Sequence, residues 1–131
     1  MNLKDLHIFR VWDKDKKEYL KNPYSIFSLE NAMEIDIELC TKQTIHNIPN
    51  QDINTPIYEN DIVRFEILDS VMDYIDYQVI HEDNIFFLKA LDCDYLNLCG
   101  KDLEYAIKRY FEIMSIVGTI HERDIARLCQ I

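Results

Sequence analysis

Glycine and proline are scarce in this chain, with two glycines and three prolines among 131 residues. Together with an apolar content of 48%, that scarcity indicates a globular protein long enough for one domain. No apolar run approaches the roughly 20 residues that cross a bilayer. The opening "MNLKDLHIFRVW" mixes charges with apolar residues, unlike a secretory signal. We therefore expect a cytoplasmic protein without membrane contact.

The spacing that marks zinc and redox sites is also missing. The four cysteines contain no C-x-x-C pair, and the four histidines share neither an i, i+4 helical face nor a short H-x-H spacing. We expect reduced, mostly buried thiols, no metal and no cofactor. The residues concerned are Cys40, Cys93, Cys99, Cys129, His7, His46, His81 and His121.

Basic residues are rare in the middle of the chain. Residues 22–100 carry three Lys or Arg against fifteen Asp or Glu, so the net charge of −10 arises there. Phosphate backbones are bound by clustered Lys and Arg, and an acidic section repels them. Direct nucleic-acid binding is therefore disfavoured. The acids form either a solvated face or a surface for a basic partner.

Period-two patterns dominate the chain and predict strands. "HIFRVW" (7–12), followed by "DKDKK" and "EYLK", predicts a hairpin, and "MEIDIEL" (33–39) predicts a strand whose apolar side chains face inward and whose acids face solvent. The predicted inward residues are Met33, Ile35, Ile37 and Leu39, and the predicted outward acids are Glu34, Asp36 and Glu38. Further strands are predicted in "DIVRFEIL" (61–68) and in both halves of "YQVIHEDNIFFLKA" (77–90), with a loop over residues 44–55.

One helix is predicted, in "KDLEYAIKRYF" (101–111), with Asp102 as its N-cap or first-turn acid. "IMSIVGTI" (113–120) is typical of an apolar strand, with a bulge or close backbone approach at Gly118. Several short strands and a single helix predict a mainly β fold, a small barrel or sandwich with a minor α element.

The segment "IYENDIVRF" (57–65) carries two carboxylates, Glu59 and Asp61. Asn60 tolerates left-handed backbone, and Asp61 can accept hydrogen bonds from turn amides. Acid and base catalysis would need both carboxylates in one pocket with separated pKa values, and the spacing does not indicate this. We interpret the segment as a turn that begins a strand.

Three blocks of sequence resemble, in order, the YopX family of phage and prophage proteins from Gram-positive bacteria. "FRVWDKDKKEYL" (9–20) is similar to the family's F-R-x-W-D-K hairpin, "DINTPIYENDIVRF" (52–65) to its D-K-N-G-K-x-I-Y-E-G-D-I-V element, and "MSIVGTIHE" (114–122) to its E-V-I-G-N-I-Y-E ending. Asn60 and Thr119 depart from a family glycine and a family asparagine. The matching positions are Phe9, Arg10, Trp12, Asp13, Asp52, Ile57, Tyr58, Asp61, Val63, Val117 and Gly118.

The resemblance implies a single domain over residues 1–131, with an N-terminal β-hairpin portion (about 1–48) and an SH3-like small β-barrel (about 49–131). It also implies self-association to a homo-oligomer and a location in the cytoplasm of a bacterial host. It implies no activity, because the family's molecular role is unassigned. The tract before residue 111 is longer than the family pattern, so the predicted helix would be a local elaboration.

Three hypotheses about function stay open. The first is a phage or prophage accessory protein that is a non-enzymatic protein-binding or self-assembling module, which the lack of a catalytic constellation favours. The second is an acidic antagonist of a host protein, whose residues 22–100 imitate nucleic acid or occupy a basic groove. The third is an enzyme with His81 as its base. Its carboxylates would be Asp61, Glu82 or Asp83, although neighbours in a strand point to opposite faces.

Aromatic residues supply candidate contacts, because Tyr and Trp are enriched at protein interfaces. The chain has eight tyrosines and one tryptophan. We expect Trp12 and Tyr58 in the core. Interface candidates, for a second copy or for a host or phage protein with a basic surface, are Tyr74, Tyr105 and Tyr110.

Overall fold

A computed structural model describes residues 8–24, 34–46, 54–66, 74–91 and 101–128. Most of them belong to two antiparallel sheets, and one of the sheets is curled into a half-barrel. The first sheet has the strand order β2-β1-β3-β4. Its strands are β1 (Phe9–Asp13), β2 (Glu18–Tyr19), β3 (Ile35–His46) and β4 (Asn54–Tyr58).

The second sheet has the strand order β8-β7-β6-β5-β9. Its strands are β5 (Asp61–Glu66), β6 (Tyr74–Glu82), β7 (Ile85–Ala90), β8 (Lys101–Asp102) and β9 (Met114–Thr119). Helix α1 (Leu103–Tyr110) and a short 3-10 helix (Phe111–Ile113) precede β9, and helix α2 (Ile120–Leu128) follows it. The prediction of a mainly β chain with a minor α element is confirmed.

Local sequence explains several chain reversals and ends. Asp83 and Asn84 both adopt positive φ between β6 and β7, as the favoured two-residue hairpin turn requires. Asp102 caps α1 by accepting a hydrogen bond from the Glu104 amide at 2.7 Å, and such a cap stabilises a helix by roughly 1 kcal/mol. The predicted bulge at Gly118 is confirmed, because the β5–β9 register shifts there and its φ is 148°.

One hydrophobic cluster takes side chains from both sheets and from α1. Ile45 and Ile57 come from the first sheet and are fully buried. The remaining buried members are Val63, Phe65, Ile75, Tyr77, Val79, Leu88, Leu103, Ala106 and Met114. Since each fully buried large apolar side chain contributes roughly 1.5–3 kcal/mol, this cluster holds the two sheets together. Within the described ranges, no helix has the length and apolar character to cross a membrane.

Two sequence predictions in the first sheet were wrong. The predicted loop over residues 44–55 begins and ends as strand, because Ile45 is fully buried and pairs with Thr55; residues 47–53 lie outside the described ones. The predicted facing of β3 is inverted, since Glu38 is fully buried whereas Ile37 and Leu39 are 51% and 40% exposed. The polar partners of Glu38, described below, are the physical reason.

Helix α2 was missed by the sequence analysis. Its first residue, Ile120, was included in the predicted strand, and charged residues begin at Glu122. Asp61 pairs with Thr119 at the end of β9, and the Ile120 amide donates to the Asn60 carbonyl at 2.9 Å. The strand therefore ends against the turn before β5, and the chain continues as a helix.

Candidate functional site

Glu38 is the centre of a buried polar cluster between the two sheets. It lies on β3 directly opposite Arg10 of β1. Its Oε1 accepts from Arg10 Nε at 2.7 Å and from the Tyr19 hydroxyl at 2.9 Å. Its Oε2 accepts from Asn60 Nδ2 at 2.8 Å and lies 2.6 Å from His121 Nε2. Since an ionised carboxylate only accepts, His121 donates through Nε2.

Arg10 links Glu38 to the start of the second sheet. Its Nη2 lies 2.8 Å from Asp61 Oδ1 and donates to the Glu59 carbonyl at 3.1 Å. The guanidinium carbon lies 4.5 Å and 4.8 Å from the ring centroids of Tyr19 and Tyr58, close enough for cation–π attraction. Burial lowers the pKa of Arg10, but the nearby acids outweigh it and the net shift is upward.

Asp61 is 3% exposed and closes the turn that precedes β5. Its Oδ2 accepts from the Tyr58 amide at 2.8 Å, so the prediction of a turn that begins a strand is confirmed. Burial raises the pKa of Asp61 to about 6, although the charge of Arg10 opposes the shift. Burial also raises the pKa of Tyr19, despite the lowering effect of Arg10.

Asn60 joins that turn to β3 and β6. Its φ is 71°, the left-handed backbone expected from the sequence. Its Nδ2 donates to Glu38, while its Oδ1 accepts from Gln78 Nε2 of β6 at 2.9 Å. Its amide donates to the Val79 carbonyl at 2.8 Å. The side chain therefore has a role that a glycine cannot fill.

His121 fastens the start of α2 to the first sheet. Its ring lies parallel to that of Trp12, with an interplanar angle of 4° and centroids 4.3 Å apart. Tyr19 meets the Trp12 ring edge-on at 4.9 Å. We call Arg10, Tyr19, Glu38, Asn60, Asp61 and His121 the Glu38 cluster.

A cavity of about 600 Å³ lies beside the Glu38 cluster. It is bordered by β4 on one side and by β9 on the other, and we call it the β4–β9 cavity. Its lining residues are Arg10, Thr55, Pro56, Tyr58, Asp61, Arg64, Ile116, Val117, Gly118, Thr119 and Glu122.

Charged groups at the cavity already have partners inside the chain. Arg64 binds Asp76 through two hydrogen bonds, of 2.8 and 3.1 Å, and its guanidinium carbon lies 3.7 Å from the Tyr74 ring centroid. The Thr119 hydroxyl lies 3.2 Å from both Glu122 Oε1 and the Glu122 amide. In the part of the chain that the structure describes, no group of three or more His, Cys, Asp and Glu is arranged to hold a metal.

The geometry favours a structural role for the Glu38 carboxylate over a catalytic one. Four donors occupy its two oxygens, and the side chain is fully buried. A buried carboxylate is stable when donors occupy its oxygens, and it becomes costly when one of those donors is removed. Removing one partner of such a buried pair costs several kcal/mol.

The three blocks that carry the family resemblance meet at this site. Arg10, Trp12, Tyr58 and Asp61 lie in or against the Glu38 cluster, and Val117 and Gly118 line the cavity. Phe9, Ile57 and Val63 are buried apolar residues. Asp13 Oδ1 accepts from the amides of Asp15 and Lys16 in the β1–β2 turn. Asp52 lies outside the described residues.

The residues of the enzyme hypothesis are not brought together. His81 packs against the Phe86 ring at 4.6 Å, and Glu82 and Asp83 are exposed at the tip of the β6–β7 hairpin. Asp61 instead contacts Arg10 and the Tyr58 amide. No hydrogen bond between Asp61 and the other three is found among the described residues.

The predicted aromatic roles divide in the structure. Trp12 is 6% exposed and so belongs to the core as predicted, whereas Tyr58 is only partly buried. Tyr74 and Tyr105 are 45% and 48% exposed. Tyr110 packs against the core, with its ring 5.8 Å from that of Phe65, so it is a weaker interface candidate than Tyr105.

Sequence reasoning missed four members of the Glu38 cluster as site residues: Tyr19, Glu38, Asn60 and His121. One feature of the sequence pointed to a buried acid. Arg10 lies between apolar residues of a strand, and a cation in such a position needs an acidic partner. The identity of that acid depends on the register of β1 with β3, which the sequence does not give.

Comparison with known proteins brings no further residue roles to the site. No family model, no curated protein and no solved structure matches the chain.

Proposed function

We propose that this chain is a phage- or prophage-associated accessory protein, a non-enzymatic module that binds another protein at the β4–β9 cavity. The observation that carries the proposal is a cavity whose charged walls are already paired within the chain. Arg10 is held by Glu38 and Asp61, and Arg64 is held by Asp76. Paired side chains of this kind offer a preformed shape for binding.

The convergence of the three sequence blocks supports the family resemblance on which the phage origin rests. Residues 9–20, 52–65 and 114–122 are far apart in sequence, yet Arg10, Asn60 and His121 all contact Glu38 or its partners. The half-barrel curvature of one sheet supports the SH3-like part of the same expectation. Small barrels host many functions, so the binding proposal rests on the site.

The rim of the cavity offers apolar surface for a partner. Val117 lies on the rim and is 37% exposed, and the Tyr74 ring extends the surface through its contact with Arg64. Tyr is enriched among the anchor residues of protein interfaces, and Val117 adds apolar area to the same surface.

The acidic-antagonist hypothesis is less well supported by the placement of the acids. Glu38 and Asp61 are buried with partners, and Asp76 is paired with Arg64. Nucleic-acid mimicry needs an exposed row of negative charge. These three acids of the middle section instead form contacts within the chain.

The test is capture of a partner with the wild-type chain and two matched variants. The tagged chains are expressed in phage-infected bacterial cells, and captured proteins are identified by mass spectrometry and then purified for calorimetry. Val117→Lys should weaken binding of the purified partner about tenfold or more. Ile85→Lys alters a residue of similar exposure, 43%, at the β6–β7 turn and should leave the affinity within about twofold.

Two results would overturn the proposal. One is a purified partner that binds wild type and Val117→Lys equally well. The other is turnover of a small-molecule substrate by the purified chain that is lost in Asp61→Asn, since the cavity would then contain a catalytic carboxylate.

A further inference from the structure

The β4–β9 cavity lies between the outer edges of the two sheets. Strand β4 is the last strand of the first sheet, and β9 is the last strand of the second. Thr55, Pro56 and Tyr58 line the cavity from the β4 side, and residues 116–119 line it from the β9 side. A ligand in the cavity therefore lies alongside an edge strand of each sheet.

Of the two edges, β9 is the one suited to accept another strand. It has six residues and pairs with β5 on one side, and among the described residues no strand is hydrogen-bonded to its other side. Pro56 removes a backbone donor from the middle of β4, and proline on an edge strand discourages pairing. The other edge strands, β2 and β8, have two residues each.

The bulge in β9 shapes this edge for a ligand. Ile62 pairs with Gly118 and Val63 with Ile116, so Val117 is the extra residue. A bulge redirects the side chain of the extra residue, and Val117 lines the cavity. Gly118 has no side chain to obstruct an approaching backbone.

The Glu122 carboxylate lies beside the same edge. Glu122 Oε1 lies 3.2 Å from the Thr119 hydroxyl, and Glu122 Oε2 lies 3.8 Å from the position a Cβ of Gly118 would occupy. Of the charged residues that line the cavity, Arg10 pairs with Asp61 and Arg64 pairs with Asp76, whereas no ion pair of Glu122 is found among the described residues. The Glu122 carboxylate therefore favours a cation.

We propose that the cavity binds an extended segment of a partner protein that pairs with β9 and places a Lys or Arg side chain against Glu122. The proposal rests on the proposed function and specifies its mode. Main-chain hydrogen bonds along β9 supply affinity, as in other cases of strand addition to a sheet edge. Charge complementarity at Glu122 and the apolar contact at Val117 supply selectivity.

The experiment uses a random peptide display library of about twelve residues, long enough to pair along one strand of this length. The library is panned against the immobilised chain. Enriched peptides are synthesised with a fluorescent label, and their affinities are measured by anisotropy. We expect enriched peptides to alternate β-branched residues with a Lys or Arg, and bound peptide to slow hydrogen exchange at amides of residues 114–119.

Two charge reversals serve as a matched pair. Glu122→Lys should weaken the selected peptides about tenfold or more, whereas Glu112→Lys, an equal charge change at an exposed site on the 3-10 helix, should change affinity less than about twofold. Glu122→Gln keeps the contact with Thr119 and should also weaken binding, which separates loss of charge from loss of folding.

Each other outcome rejects the strand mode. Peptides without a basic preference, equal effects of the two reversals, exchange protection away from β9, or no enriched peptide would all overturn it. If Val117→Lys weakens binding of a partner from infected cells, the proposed function stands and only the strand-pairing mode is wrong. If that partner binds wild type and Val117→Lys equally well, the proposed function itself is wrong.

Discussion

Glu38 Oε2 lies 2.6 Å from His121 Nε2, although 83 residues separate the two in the sequence. This contact connects the middle of β3 with the first turn of α2, and Trp12 stacks on the same imidazole. The two sheets and the last described helix therefore meet at one carboxylate. Because the contact joins distant segments of the chain, it contributes to the tertiary arrangement.

Asn60→Gly should destabilise the chain, even though glycine is the residue best suited to a φ of 71°. Backbone conformation alone would favour tolerance or a small gain. The substitution also removes the Asn60 hydrogen bonds to Glu38 and Gln78, which outweighs that gain. We expect the free energy of unfolding in urea to fall by about 1–3 kcal/mol.

Asn84→Gly is the control for that experiment. Asn84 also has positive φ, 65°, but it is exposed at the tip of the β6–β7 hairpin. Glycine there should be neutral or stabilising by a few tenths of a kcal/mol, roughly. Equal effects of the two substitutions would show that the Asn60 side chain contributes nothing beyond its backbone conformation.

Asp61 should give the chain a component of stability that grows as the pH falls. Its pKa is raised from 3.8 to about 6 in the folded state, so between these values the folded chain binds the proton more tightly than the unfolded chain. The contribution is therefore present at low pH and is lost as the pH rises through about 6.

The Asp61→Asn variant isolates this effect, because it removes the titrating carboxyl group and keeps the size of the side chain. Relative to Asp61→Asn, wild type should gain about 2 kcal/mol in free energy of unfolding between about pH 7 and pH 4. Urea titrations across that range provide the measurement. Parallel pH profiles for the two proteins would mean that Asp61 titrates normally.

Tyr110→Ala should lower stability, by about 1–3 kcal/mol, since its ring packs on Phe65 within the core cluster. Tyr105→Ala removes a side chain that is 48% exposed and should change stability by less than about 0.5 kcal/mol. Chemical denaturation of both variants checks the contrast. Tyr105→Ala is therefore the better variant for testing, by light scattering, whether α1 forms a contact between copies. Similar losses of stability in Tyr105→Ala and Tyr110→Ala would contradict the packing of Tyr110 against Phe65.

Charge reversal of the acids at the start of β3 should leave any homo-oligomer intact. Since Glu38 is buried, the substitution is limited to Glu34→Lys with Asp36→Lys. Asp36 makes an exposed pair with Lys14 at 3.3 Å, and such pairs contribute roughly 0–1 kcal/mol. Dissociation of an oligomer in light scattering would show that these acids lie in the contact between copies.

Local rules predicted much of the fold because they act over a few residues. Positive φ at Asn60 and Asn84, the cap at Asp102 and the bulge at Gly118 all follow from the preferences of single residues. The facing of β3 does not. A period of two shows which side chains share a face, but the donors around Glu38 decide which face is buried, and they come from β1, β2, the β4–β5 turn and α2.

A double-mutant cycle between Glu38 and His121 tests most directly the claim that this carboxylate joins the parts of the fold. Glu38→Gln keeps the side-chain shape, and His121→Phe keeps a ring beside Trp12 while removing the donor. Urea denaturation at neutral pH should give a coupling energy of about 1–3 kcal/mol, against less than about 0.5 kcal/mol for Glu38→Gln combined with the distant Lys108→Gln. A Glu38–His121 coupling as small as that control would contradict the claim.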